Sequence, residues 1–193
     1  LPLTVFLRVI TPDLRYDTFM NVNDLGHTDP LMSYVPLPAT DRWRLRPVER
    51  GDLWGLLADC WRDYDRNRAR ALVERAIALY DHCKGMGVVA VEQNTGAILS
   101  YGQIMRWSRS AEISDLVVSP SWRSQGIGTA MIYDLMRYAP SMRVRQIEIG
   151  VAEANPRALA LYRRLGFEDS YTVMLDVGYG MEKIIYLTRN LDR

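Results

Sequence analysis

The sequence predicts an α/β (α+β) fold in which one mixed, mostly antiparallel sheet is flanked by helices. A strand, loop, helix, strand unit over residues 111–152 is a crossover, and crossovers join parallel strands. Antiparallel signals lie on both sides of it. Residues 88–92 and 97–105 flank the turn Asn94-Thr95-Gly96, and a last pair of strands falls near 170–176 and 182–189. A chain of 193 residues with 48% hydrophobic content can bury a full core as one domain.

Taken in order, residues 3–10 alternate Leu3, Val5, Leu7, Val9 against Thr4, Phe6, Arg8, Ile10, a strand-like pattern closed by the turn Thr11-Pro12-Asp13. Pro30, Pro36 and Pro38 then mark an irregular linker, so residues 1–40 read as an appendage to a domain spanning 41–193. Trp43 to Val48 is expected to be the first strand of that domain. Asp52 is placed to cap a helix running through Trp54, Leu57 and Trp61. A second helix is predicted from about Asn67 to Cys83, with Leu72, Ala76 and Leu79 at helical spacing and Gly85-Met86-Gly87 as its stop. After the hairpin come a strand at 111–118, a helix at 128–139, a strand at 144–152 and a helix at 156–165.

Composition excludes several functions. Lysine plus arginine (24) nearly balance aspartate plus glutamate (23), so a formal charge of +1 gives no polyelectrolyte argument for nucleic acid. Cys60 and Cys83 form no CxxC pair and have only His27 and His82 for company, which suggests reduced thiols in a cytoplasmic protein rather than a metal site or a disulfide framework. No apolar run reaches the roughly 20 residues that span a bilayer. The opening Leu1-Pro2-Leu3-Thr4-Val5-Phe6-Leu7-Arg8 is short and lacks a small-residue cleavage pattern, so no secretory signal is expected.

The chemistry concentrates between Glu112 and Thr129, which reads as a strand, a Ser119-Pro120 turn, a glycine loop and the start of an amphipathic helix. Gly126 and Gly128 lack the Cβ atoms that would keep a phosphate from the backbone, and the next helix contributes unpaired N–H groups. A Walker loop would need a lysine after Gly128, where Thr129-Ala130 stand; a dinucleotide loop would need a third glycine where Met131 stands. What remains, Arg123-x-x-Gly126-x-Gly128 after a Leu-x-Val strand, resembles the pyrophosphate loop of the GNAT superfamily of acetyl-CoA-dependent N-acetyltransferases. Downstream, Asn155-Pro156-Arg157-Ala158-Leu159-Ala160-Leu161-Tyr162-Arg163-Arg164-Leu165-Gly166-Phe167 is similar to that superfamily's second signature, N-x-x-A-x-x-L-Y-x-x-x-G-F. The resemblance covers about residues 41–191.

It implies the GNAT fold, in which the two central parallel strands splay apart with helices on both faces, and acetyl-CoA as cofactor. It implies that the main chain of Leu116, Val117 and Val118 bonds the pantetheine and acetyl oxygen. Arg123, Ser124, Gln125, Gly126, Ile127, Gly128 and Thr129 would hold the pyrophosphate, with Asn155 and Tyr162 along the cofactor arm. Gly150, inside the neighbouring strand, suggests either a ligand or another backbone in close approach, or merely weakened pairing.

For the transfer itself, Tyr162 is the implied general acid: a phenol near pKa 10 protonating a thiolate near 8 to 9 is uphill by about 1.4 to 3 kcal/mol. An amphipathic tyrosine in a helix interface is the alternative. Glu112 is the candidate base, because the histone-acetylating branch carries a glutamate at this distance from the glycines; an ordinary strand-end carboxylate is the competing reading. A base matters most for a lysine amine, whose deprotonation at pH 7 costs roughly 4.6 kcal/mol, against about 1 for an α-amine. Some ribosomal-protein N-terminal acetyltransferases place a glutamate five residues before the asparagine, and Gly150 stands there. Asp59, Asp63 and Asp65 could attract a cation, but Arg62, Arg66, Arg68 and Arg70 interleave with them as on a solvated face. The turn Gly178-Tyr179-Gly180 could present Tyr179 over the amine.

No metal is required, and neither cysteine lies in a motif, which disfavours an acyl-enzyme. The implied function is acetyl transfer from acetyl-CoA to a primary amine. A noncatalytic acyl-CoA-binding module and a transferase using a longer acyl-CoA stay open. Pairing of the N-terminal strand as a sheet edge makes a homodimer an expectation.

Overall fold

The computed structural model describes residues 40–177 and 180–191. The expected strand at 3–10, the linker before Thr40, His27 and the Tyr179 turn lie outside the described residues. Seven strands form one sheet: β1 (Trp43–Pro47), β2 (Gly85–Glu92), β3 (Ile98–Trp107), β4 (Ser110–Val118), β5 (Gln146–Ala152), β6 (Glu168–Asp176) and β7 (Met181–Asn190). Their order is β1-β2-β3-β4-β5-β7-β6, antiparallel throughout except for the parallel β4–β5 pair at its centre. The α/β expectation with a mixed, mostly antiparallel sheet therefore holds.

Each face of the sheet carries its own core. On one face α3 (Ile127–Tyr138) and α4 (Pro156–Arg164) cover a cluster that includes Leu99, Ile104, Ile113, Met131 and Ile147. On the other, α2 (Arg66–Asp81) and a short helix α1 (Leu53–Gly55) bury Leu56, Trp61, Val73, Ala76, Val89 and Tyr101. Strand alternation makes this division possible, since Val88 and Ala90 face the first cluster while Val89 and Val91 face the second.

Three local expectations need correction. Asp52 does not cap the following helix through its side chain: it ends a 3-10 turn (Arg50–Asp52), where its carboxylate accepts from the Glu49 amide at 2.8 Å as half of a capping box and takes two guanidinium bonds from Arg46, at 2.7 and 2.6 Å. The following helix lasts three residues and widens into a π turn (Leu56–Cys60), so the buried stripe is Leu53, Leu56 and Trp61 while Trp54 is exposed. Gly85-Met86-Gly87 does not stop α2, which Asp65 caps by accepting from the Asn67 and Arg68 amides and which ends at Asp81. These glycines belong to β2, where the neighbouring strand at Gly85 and the α2 helix at Gly87 come too close for a side chain. A Cβ on Gly85 would sit 2.5 Å from the Ile104 carbonyl oxygen, and one on Gly87 2.8 Å from Ala76 Cβ.

The feature that shapes the site is the short β4–β5 contact. Their register runs only from Ser110↔Gln146 to Ile113↔Ile149. Beyond that point β4 follows β3 up to Ser100↔Val118, while β5 follows β7 up to Ala152↔Ile184, and the two strands separate. A bulge drives the parting: between Gln103↔Ser114 and Tyr101↔Val117, Asp115 and Leu116 oppose the single residue Gly102, and Asp115 takes φ +53°.

Gly85→Ala should lower the unfolding midpoint by several degrees, corresponding to about 1–3 kcal/mol of overpacking, because the nearest atom is main chain that cannot rotate away. Calorimetry on the two proteins checks this, and an unchanged midpoint would mean that β2 can move off β3.

Candidate active site

The wedge between the parting strands opens into a cavity of about 430 Å3. It is lined by β4 from Glu112 to Val118, the loop before α3, Gly150 of β5, and Asn155 and Tyr162 of the α4 segment. Except for Gln125, every residue expected at the site from the sequence lines it. Gln125 instead donates from its side chain to the Ser121 carbonyl at 3.2 Å and braces the loop.

At one end the chain presents amides. Gly126 sits at φ +83°, a left-handed conformation that favours glycine, and begins α3. Ala130 is the first helix amide to bond back, to the Gly126 carbonyl at 3.0 Å, so the amides of residues 124–129 have no partner among the described residues. Two cations flank them. Arg123 donates through Nε to the Val118 carbonyl at 3.1 Å, which fixes its stem, and Arg157 of α4 reaches across to the Ser124 hydroxyl. Unpaired amides, a helix N-terminus and two guanidinium groups suit a pyrophosphate. Trp122, stacked under the Arg42 guanidinium at 4.8 Å, completes this wall.

Along the wedge, strand alternation decides which main-chain groups are available. The Ser119 amide bonds to the Leu99 carbonyl at 2.8 Å, so Val117, two residues back, turns its amide and carbonyl to Tyr101, its register partner on β3. Val118 turns the other way, as its bond from Arg123 shows. Val117, which also lines the cavity, thus has its main chain engaged with β3, while the main chain of Val118 faces the wedge.

On the opposite wall Asn155 caps α4, its Oδ1 accepting from the Ala158 amide at 3.1 Å, and Tyr162 follows two turns later on the same side. Tyr162 is 6% exposed, and burial pushes its phenol well above its ordinary value. That makes it a weaker acid than an ordinary phenol. The same desolvation acts on any thiolate formed beside it, so the difference between the two groups grows less than the shift itself.

Glu112 is 7% exposed and held by two donors, Trp107 Nε1 at 3.0 Å and the Tyr186 hydroxyl at 3.3 Å. Tyr186 also explains Gly150. A Cβ there would lie 3.1 Å from the Tyr186 ring, so an aromatic ring approaches this cavity-lining glycine closely. Tyr186 stacks at 4.9 Å on Tyr171, whose hydroxyl donates to Glu148 at 3.0 Å. Glu148 is the register partner of Glu112, so this face of the site is acidic with an aromatic frame.

The sequence reading missed Tyr186, Trp107, Trp122 and Arg157. The first three carry no local signal; Arg157 stood inside the second signature at a position whose residue type is free. Of the acidic residues near the first helices, Asp65 serves as the α2 cap. Burial pushes the Cys60 thiol up to about 12, so it stays protonated at neutral pH. Among the described residues no cluster of His, Cys, Asp or Glu could hold a metal ion, and no helix is long and apolar enough to cross a membrane.

Asp115 is buried at the bulge, and burial, with a smaller push from Glu112, lifts its carboxyl to about 6. A raised carboxyl favours the neutral form in the folded state, so Asp115 costs nothing below about pH 4 and destabilises as pH rises through 6. Asp115→Asn should therefore match the wild type near pH 4 and exceed it by about 2–3 kcal/mol at pH 8, read from chemical denaturation at the two pH values. Equal stability differences at both would show that Asp115 titrates normally.

Compared with known proteins, the chain matches the acetyltransferase (GNAT) family over residues 51–167. It is 41% identical over 63 residues to an uncharacterized N-acetyltransferase of Methanocaldococcus jannaschii, covering 33% of this chain and 28% of that protein. It is 33% identical over 72 residues to the thialysine N-epsilon-acetyltransferase of Bos taurus, covering 37% and 42%. The matched stretch thus spans less than half the length of these relatives. In fold it is similar to the ribosomal-protein-alanine N-acetyltransferase of Brucella melitensis, with TM-score 0.64, 21% identity, and coverage of 76% of this chain and 99% of that one. A ribosomal alpha-N-protein acetyltransferase in complex with coenzyme A gives TM-score 0.67 at 17% identity, covering 82% and 99%.

Proposed function

The chain belongs to the acetyltransferase (GNAT) family, and from that premise we propose that it transfers acetyl from acetyl-CoA directly to a primary amine. The observation that carries this reading is the single cavity that joins unpaired loop amides at one end to a buried, hydrogen-bonded carboxylate at the other. Acetyl-CoA bound there supplies the acetyl thioester.

The residues divide the work along the wedge. The amides of residues 124–129, with Arg123 and Arg157, bind the diphosphate. Leu116 and Val118 orient the arm through main-chain groups left open by the parting of the strands, and the Leu116 amide polarises the acyl oxygen. Glu112 accepts the proton that the ammonium must lose before its nitrogen can attack, with Trp107 and Tyr186 fixing the carboxylate. Tyr162 holds a proton at its hydroxyl for the sulfur when the carbon–sulfur bond breaks. Nitrogen gains the acyl group and gives up its second proton, which restores the one Tyr162 passed to sulfur, the first proton leaves to solvent from Glu112, and no covalent enzyme species is needed.

Gly128 provides the cleanest test of the cofactor site. A Cβ there would meet Val118 at 3.8 Å and Leu161 at 4.0 Å, ordinary contacts with two cavity-lining residues, so Gly128→Ala should fold yet place a methyl group where the diphosphate lies. Acetyl-CoA at about 100 times its Kd should stabilise the wild type by about 2.7 kcal/mol, several degrees in the unfolding midpoint, and should give Gly128→Ala much less. A wild type indifferent to acetyl-CoA and to coenzyme A would remove the reading. For the chemistry, Tyr162→Phe should lower kcat about 10- to 100-fold with little change in acetyl-CoA KM. Glu112→Gln should abolish the acid limb of the kcat/KM profile, and full turnover in either variant would take that residue out of the mechanism.

A further inference from the structure

Asp115 is not used in the mechanism above, and its setting is not that of a structural carboxylate. It lies in the bulge of β4 at φ +53°, 6% exposed, and lines the cavity where the strands part. One oxygen is fixed: Oδ2 accepts from Gln103 Nε2 at 2.7 Å and from the Ser114 hydroxyl at 3.3 Å, while the Tyr101 hydroxyl donates to Gln103 Oε1 at 3.0 Å and sets that amide's orientation. The other oxygen, Oδ1, is buried and has no hydrogen-bond partner among the described residues.

A carboxylate kept only for structure would have both oxygens satisfied, since an unmet acceptor in the interior costs more than the bond it lacks. Nor does a cation within the domain answer it: among the described residues no Lys, Arg or His nitrogen lies within 4.0 Å of Asp115. The charges that face it are Glu112 on its own strand and, farther off, Arg75 and Arg68 of α2, with the Tyr101 phenol on β3. The cofactor's phosphates do not suit this end, which is acidic, whereas a positively charged group of small cross-section does.

We propose that Asp115 is the specificity-determining residue that receives the acceptor as its ammonium ion, one N–H donating to Oδ1 beside Glu112. This rests on the acetyl-transfer reading. It adds that the acceptor enters charged and is recognised by its charge before Glu112 removes the proton. The network from Tyr101 through Gln103 fixes Oδ2 and leaves Oδ1 as the unmet acceptor of a residue that lines the cavity, so a small shift of the carboxyl brings Oδ1 to the ammonium, and the bulge that parts the strands also delivers the residue that selects the acceptor.

The test uses the full chain carrying 13C at aspartate Cγ, with the Asp115 signal assigned by its loss in Asp115→Asn. Its titration is followed with n-butylammonium chloride, with sodium chloride as the ionic control and n-butanol as the uncharged control. The ammonium should lower the midpoint by about one unit, and the controls should leave it in place. A midpoint that n-butylammonium moves no more than sodium chloride does would overturn the proposal. With any primary amine that the wild type turns over, Asp115→Asn should raise the amine KM about tenfold or more and leave the acetyl-CoA KM within about twofold. An unchanged amine KM would also overturn it. Failure of the acetyl-transfer reading looks different: no amine is then acetylated, while the ammonium still shifts the Asp115 titration and the cation site stands.

Discussion

The cavity of this domain exists because two strands pair over only four positions and then part. Had β4 and β5 stayed together past Ile113 and Ile149, the main chain of Leu116 and Val118 would be spent on the sheet and no cavity would exist. The parting is stable because each strand keeps another neighbour: β4 holds β3 and β5 holds β7. The bulge at Asp115 supplies the bend, and Gly102 opposite permits it, since a Cβ there would lie 2.8 Å from the Leu116 side chain.

Charge is segregated along the resulting wedge. The loop end gathers amides, a helix N-terminus, Arg123 and Arg157, all favouring an anion. The far end gathers Glu112 and Asp115, with the Tyr186 hydroxyl on Glu112. On the proposed function, a diphosphate and an ammonium would go to opposite ends of one cavity, with the thioester between them. Tyr186 links the two strand systems at that far end, filling the space above Gly150 and donating to Glu112 across the sheet.

Much of this was legible in the sequence because the signals were local. Gly126, Gly128, Asn155 and Tyr162 sit in short motifs whose spacing fixes their geometry, and the crossover and hairpins gave the sheet its mixed character. What stayed hidden depends on partners far apart in the chain. Tyr186 lies 74 residues from Glu112, and Arg157 lies 33 from Ser124. Nothing near either residue announces the other. Gly85 and Gly87 misled because a helix stop and a close packing contact both call for glycine, and only the Ile104 carbonyl of β3 and Ala76 of α2 distinguish them. Asp52 misled for a similar reason: a capping residue and a buried partner for Arg46 are the same residue type.

The most direct test of the wedge as an acyl-CoA site is a residue-resolved one: titration of coenzyme A into 15N-labelled protein, followed by amide chemical shifts. Large perturbations should be confined to the amides of Leu116 and Val118 and of residues 124–129, with Val117 far less affected because its amide faces β3. Perturbations scattered over the α1–α2 face, or equal along all of β4, would contradict the account, and so would the absence of any change at saturating coenzyme A.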